Sequence, residues 1–254
     1  MIICAALSDV GRKRQANQDF LVVNESSALY VLADGMGGHS SGEVAARVAA
    51  GAVDDFVTMA NQPQEMTWPF GYSTALPYEH NVLKTAALLA NLKVNHLSEL
   101  EEQYAGMGTT LLTVWVRGGT AFYCYVGDSR LYLLRDGQLR QLSVDETLVQ
   151  ELLRRGVITP QEAKEHQMRH VVTRAIGMRG RLEVEVREQK LLKGDLLLMC
   201  SDGLTDRLAD VELCQTLTRD DNLDGLCRSL VDLANEAGGD DNITAILLRY
   251  GGPG

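Results

Sequence analysis

TLLTVWVRGGTAFYCYVGDSRLYLLRDGQLRQL, residues 110–142, holds four short runs rich in aromatic and β-branched residues, broken by Gly118-Gly119 and Asp136-Gly137. Two-residue breaks of this kind are hairpin turns. The stretch predicts strands at Thr110–Arg117, Thr120–Val126, Arg130–Arg135 and Gln138–Leu142, joined as one antiparallel meander. Working outward, apolar runs predict further strands at Ile2–Ser8, Phe20–Val23, Leu29–Ala33, Leu196–Ser201 and Ile243–Arg249, and alternation predicts one at Leu182–Arg187. Helices fall between these groups. Ser40 and Glu43 suggest a capping box ahead of Val44, Val48, Ala52 and Phe56. A second helix, with Asn81 as its N-cap, carries Leu83, Ala87, Ala90, Val94 and Leu97. Others are expected at Glu146–Arg155, from Pro160 behind Thr159, and at Asn222–Ala237. Strands and helices come in blocks, which favours an α+β layered sandwich over a Rossmann fold or barrel.

A chain of 254 residues, 45% hydrophobic and 23% charged, can bury a large core. Its net charge of −10 excludes a general nucleic-acid binder and disfavours an anionic membrane surface. No apolar run approaches a membrane span, and Met1–Leu7 lacks the basic flank of a signal peptide. The five cysteines form no Cys-x-x-Cys pair, which fits free thiols and a cytoplasmic location. Residues 1–254 are read as one domain. Within it, 61–80 resembles an inserted loop and 145–170 a flap that leaves the strands and returns.

Four apolar runs meet an aspartate beside small residues: Asp34-Gly35, Gly127-Asp128-Ser129, Asp202-Gly203, and Asp240-Asp241-Asn242. One Asp-Gly pair alone is usually a turn. Four in step with strand ends suggest a convergent carboxylate cluster. Such a cluster needs cations, since like charges at close range raise one another's pKa. An all-oxygen donor set favours Mg²⁺ or Mn²⁺.

These blocks sit among others in a fixed order: Arg14-x-x-Asn17-Gln18-Asp19, Asp34 to His39 with Gly42-Glu43, Met107 to Thr110, and Gly127 to Arg130. Thr173 to Gly177, Ser201 to Asp206, and Gly239 to Asn242 follow. The set resembles the metal-dependent protein phosphatases of the 2C type in their compact bacterial form, over about residues 5–249. The resemblance implies an αββα sandwich, two antiparallel sheets flanked by helices, with the metal cleft at one end and the flap near it. It implies a protein serine/threonine phosphatase, a signalling hydrolase, that cleaves phosphoserine and phosphothreonine by attack of a metal-bridging water or hydroxide without a phosphoenzyme. Two or three Mn²⁺ or Mg²⁺ ions are implied. Asp34 would bridge two of them and the Gly35 carbonyl would bind one. Asp202 and Asp241 would complete the second metal's shell, Asp128 with Asp202 would hold a third ion, and Asp19 would act through water. Arg14 would grip the substrate phosphate with its planar fork. The partners implied are phosphorylated proteins, targets of a cognate kinase, with no nucleic acid and no membrane; the protein is expected to be a monomer.

Three positions depart from the family's pattern. Gln18 stands where glutamate is common, which removes one negative charge from the metal surroundings. Met36 stands where many eukaryotic relatives have a histidine proposed as general acid. Asp145-Glu146-Thr147 replaces the usual Asp-His-Ser. His39 is read as structural, Cys200 as a core thiol, and the Gly-rich 34–38 segment lacks the Lys-Ser/Thr ending of a P-loop. The rival readings are a pseudophosphatase that binds without turnover, a phosphatase for a small ester or an anti-sigma-type regulator, and a cation-binding scaffold.

Overall fold

The computed structural model describes residues 1–38, 41–62 and 66–252. The expected Ser40 capping box and His39 lie outside them. Sheet one is ordered β1 (Ile2–Asp9), β11 (Ile243–Tyr250), β10 (Leu196–Cys200), β7 (Arg130–Arg135), β8 (Gln138–Gln141). Sheet two is ordered β2 (Asp19–Asn24), β3 (Leu29–Met36), β5 (Leu111–Arg117), β6 (Thr120–Val126), β9 (Val186–Lys190), with the two-residue β4 (Gly108–Thr109) on β3. All these pairings are antiparallel.

Strand periodicity builds four layers, because successive side chains point to opposite faces. On β3, Leu29, Val31 and Ala33 face α1 (Ser41–Ala60) and α2 (Tyr78–Leu100), while Tyr30 and Leu32 face the other sheet. On β11, Ile243, Ala245 and Leu247 meet α7 (Leu223–Glu236) and α6 (Asp210–Leu217), while Ile246, Leu248 and Tyr250 join the core between the sheets. The expected αββα sandwich is the observed fold. Both sheets are covered on both faces, which is why their central strands read as near-continuous apolar runs.

The single meander is not what forms. Both hairpins exist, with positive φ at Gly118 and Gly119 and at Asp136 and Gly137, as tight hairpin turns require. They belong to different sheets: β6 takes β9 as its outer neighbour, and β7 pairs with β10. The chain crosses between sheets at Gly127, whose φ of 101° belongs to glycine, and where a Cβ would stand 2.8 Å from Thr110 Cγ2. Hairpin turns are local, but the choice of sheet is set by long-range packing, and the crossing delivers Asp128 to the end of the sandwich.

Other elements shift in instructive ways. In α1 the expected Ala52 and Phe56 are buried, but Val44 and Val48 are only half-buried while Ala45, Ala46, Ala49 and Ala50 are fully covered, because small side chains let the helix approach β3 and α2 closely. The strand expected at Leu182–Arg187 is Val186–Lys190. Leu182 and Val184 do turn inward, but the Glu183 carbonyl accepts from the Arg174 guanidinium instead of a strand neighbour. Two helices went unforeseen, α5 (Asp202–Thr205) and α6. Helices α3 (Leu148–Arg154) and α4 (Pro160–Glu165) start behind Thr147 and Thr159 as N-caps.

Asn81 is not an N-cap. It lies inside α2 and is 4% exposed; its amide donates to Ser73 O, Leu76 O and Pro77 O, and its Oδ1 accepts from Ser73 N. It therefore fastens the end of the 66–77 loop to the helix start. Asn81→Ala leaves several partners unmade and is expected to cost about 2 kcal/mol, read as a lower melting temperature with phosphatase turnover retained at a permissive temperature.

Candidate functional site

The cleft opens at the end of the sandwich where the two sheets meet. Asp34 lies near the end of β3, directly opposite Asp19 at the start of β2. Like charges in that register repel, so other groups must hold them there. Thr110 does much of this: its amide donates to Asp34 O at 2.8 Å, and its hydroxyl accepts from Asp34 N at 2.9 Å. The same hydroxyl lies 2.8 Å from Ser129 Oγ, tying the Asp34 strand to the Gly127–Ser129 crossing. Glu146 steadies that crossing from the other side. Its Oε2 accepts from Gly127 N at 3.0 Å, its amide donates to Gly127 O, and its Oε1 accepts from Arg174 at 2.7 Å.

Asp202 and Asp241 come from sheet one. Asp202 follows β10 and opens α5; Asp241 sits just before β11. Gly203 fits there because a Cβ would stand 2.0 Å from Asn242 O. Asn242 clamps the 10–18 loop by donating to Val10 O and Ala16 O, each at 3.0 Å, and by accepting from Gln18 N at 2.8 Å. Arg14 rides on this loop, and its Nη2 donates to Asp241 Oδ2 at 2.8 Å.

A cavity of about 310 Å³ results, walled by Arg14, Asp34, Gly35, Asp128, Asp202 and Asp241. Six of the seven residues singled out in the sequence thus share one cleft. Asp19, the seventh, lies behind the wall, 6% exposed, where its Oδ2 accepts from Ser201 Oγ at 2.8 Å and Thr244 Oγ1 at 2.6 Å. A larger groove of about 800 Å³ between α2 and residues 174–185 mixes Lys84, Arg174 and Arg181 with Glu183 and Glu185 and holds no carboxylate cluster.

Burial and mutual repulsion dominate the electrostatics. Burial, then Asp19 and Asp202, push Asp34 well above the usual carboxylate range. Asp202 is raised the same way, by burial and then by Asp128 and Asp206. Asp19 and Asp128 are pushed up to about 6, chiefly by burial. Asp19 Oδ1 and Asp202 Oδ1 are shut off from solvent with no hydrogen-bond partner among the described residues. Orphaned carboxylate oxygens of raised pKa, beside a backbone carbonyl, fit hard divalent cations of the Mg²⁺ and Mn²⁺ kind. Cys200 is buried, its thiol pushed up to about 12, so it offers no thiolate nucleophile.

Thr110 and Asn242 belong to blocks noticed in the sequence, yet their supporting hydrogen bonds were not legible there. Glu146 drew attention only as a departure, and its place as the hub between Gly127 and Arg174 emerges in three dimensions. Asp206 likewise closes a block noticed in the sequence without being given a role, and His170, which lines the cleft, was missed outright.

The protein phosphatase 2C model matches residues 11–247. Protein phosphatase PhpP of Streptococcus pneumoniae is 36% identical over 250 residues, covering 95% of each chain. The serine/threonine phosphatase stp of Listeria monocytogenes is 34% identical over 249 residues, covering 95% of this chain and 93% of its own. The Mycobacterium tuberculosis serine/threonine phosphatase PstP/Ppp matches in structure with a TM-score of 0.86 at 33% identity over 99% of both chains. A PstP catalytic domain in complex with two manganese ions gives 0.82 at 32%, over 98% of this chain and 97% of that one. The carboxylate cleft, the four-layer frame around it and these full-length likenesses agree: the chain belongs to the protein phosphatase 2C family.

Proposed function

We propose that residues 1–254 form one metal-dependent protein serine/threonine phosphatase domain that cleaves phosphoserine and phosphothreonine in proteins phosphorylated by a cognate kinase. The observation that carries this reading is the convergence of Asp34, Asp128, Asp202 and Asp241 on one cleft with Arg14 at its rim. In this reading Asp34 and the Gly35 carbonyl, with Asp202 and Asp241, hold two Mn²⁺ or Mg²⁺ ions. Asp128 and Asp202 hold a third, and Asp19 acts through water. When bound, the ions supply an acidified water as nucleophile and positive charge for the phosphate oxygens. The protein acts as a monomeric signalling enzyme in the cytoplasm; no helix among the described residues is long and apolar enough to cross a membrane.

The chain's own residues supply position. Thr110 fixes the backbone of Asp34, and Asn242 fixes the loop that carries Arg14. The Arg14 guanidinium, held charged chiefly by its hydrogen bond to Asp241, uses one nitrogen there and keeps the rest of its fork for phosphate oxygens. Met36 lines the cleft without a transferable proton, so the leaving alkoxide takes its proton from water or from another group.

The test is phosphate release from a phosphothreonine peptide with Mn²⁺, with Mg²⁺ and with chelator, beside a small aryl phosphate. Metal-dependent peptide turnover is expected. Arg14→Lys keeps the charge but loses the fork, and should lower kcat/KM by about 10- to 100-fold, the worth of one charged hydrogen bond. No peptide release from folded, metal-loaded protein overturns the reading in favour of a binding-only protein. Release from the small ester alone overturns the protein-substrate assignment.

A further inference from the structure

Arg14 closes a run of three cations, Arg12-Lys13-Arg14, on the loop that reaches the cleft. In a chain of net charge −10, that run stands beside the mouth through which a phosphate enters. The loop is held by its backbone, not by these side chains. Arg12 N donates to Gly239 O at 2.7 Å and Lys13 N to the same carbonyl at 3.2 Å, next to the Asn242 clamp. A Cβ at Gly239, whose φ is 55°, would stand 2.7 Å from Arg12 Cγ, so the arginine stem lies against the turn that leads into Asp241. Lys13 and Arg207 both pair with Asp240 on that turn. Two cations thus share one carboxylate, and Arg12 is exposed with no acidic partner among the described residues. The Lys13 side chain is 68% exposed, so its pair with Asp240 is worth little in water and gives way to a better acceptor.

We propose that Arg12 and Lys13 recognise a second negative group on the substrate, a carboxylate or phosphate two or three residues from the phosphothreonine or phosphoserine. This rests on the reading that Arg14 takes the scissile phosphate, and it names the preferred substrate class: segments phosphorylated in clusters or flanked by acidic residues. Successive Cα atoms lie ~3.8 Å apart, so Lys13 and Arg12 sit within ~8 Å of Arg14 along the backbone. An extended peptide rises ~3.3 Å per residue, which displaces a group two or three positions away by ~7–10 Å. A peptide with its phosphate on Arg14 therefore brings such a group over these two cations. Because backbone bonds set the loop, both are presented without reordering of the chain. The Arg12 fork suits a phosphate or carboxylate, while Lys13 acts as a point charge. Exposed charges act on encounter and binding more than on bond breaking, so the preference falls on KM.

The test uses the full chain loaded with Mn²⁺ and phosphothreonine peptides that carry aspartate, a non-hydrolysable phosphonate, alanine or lysine two residues before or after the phosphate. On one side, kcat/KM is expected to be about 5- to 10-fold higher for aspartate or phosphonate than for alanine, carried by KM and shrinking as salt is raised. In the double variant Arg12→Gln, Lys13→Gln the ratio falls to about one, and in Lys13→Glu the lysine peptide gains instead. Lys93→Gln, which removes a charge from α2 where it pairs with Asp55, leaves the ratio intact. The ratio compares two peptides on one protein, so partial misfolding of a variant does not move it. Preference for the phosphonate alone supports the proposal and narrows the class to multiply phosphorylated segments. No preference in the wild type, a preference for lysine, or one that survives the double variant overturns this proposal and leaves the phosphatase reading standing. No turnover of any phosphopeptide overturns both.

Discussion

Replacing Asp202 by asparagine lowers phosphatase kcat/KM by about 10³-fold or more, while metal-free protein carrying the change melts higher than the wild type at pH 7.5. The first effect follows if Asp202 helps hold the ions, whose charge stabilises the transition state by several kcal/mol. The second follows from burial. Asp202 is forced upward by desolvation and by Asp128, Asp206 and Asp241, and its Oδ1 has no partner among the described residues. Without ions, the ionised carboxylate is a net cost to folding, and an amide of the same shape removes its charge. A variant that merely misfolds would lose activity and stability together. Assay of peptide turnover beside thermal melting in chelator separates the cases; equal melting loss and activity loss would count against Asp202 as a buried ligand.

The metal-free protein gains stability as pH falls from 7.5 to 5, and Mn²⁺ raises the melting temperature more at pH 7.5 than at pH 5.5. Asp19 and Asp128 are raised from 3.8 to about 6, so between those values the folded state binds more protons than the unfolded state. Stability then falls as pH rises through that window and is regained as pH drops toward 4. A shift of about 2 units corresponds to at most about 3 kcal/mol for a wholly buried carboxylate. Asp34 and Asp202, raised further, extend the trend upward in pH. Cations offset the same repulsion, so their benefit is largest where the carboxylates are fully charged. Melting curves from pH 5 to pH 8, in chelator and in saturating Mn²⁺, test both statements. A metal-free protein whose melting temperature rises from pH 5.5 to 7.5 would contradict them.

Much of this molecule was legible because its signals are local. The Gly118-Gly119 and Asp136-Gly137 turns, the Thr159-Pro160 helix start and the strand ends at Asp34, Asp128, Asp202 and Asp241 depend on residues within a few positions of one another. What failed depends on distance. Nothing near Arg130–Arg135 says that its partner is Leu196–Cys200, 66 residues on, so the sheet crossing at Gly127 stayed hidden. Asn81 looked like a cap because caps and buried loop clamps use the same side chain, and only the folded loop separates them. His170 carries no motif; its place beside Asp206, and on the wall of the cleft, appears only in the fold.

β1 pairs with β11 along its whole length, from Ile2 against Tyr250 to Asp9 against Ile243. β1 therefore waits for a strand far along the chain. A nascent chain still short of residue 241 lacks both the edge that β1 needs and the aspartate that Arg14 holds. The catalytic pit thus comes into being only once the strand that begins just after that aspartate is available to pair. A chain cut before that aspartate would lack both the pairing strand and the Arg14 partner and is expected to be inert.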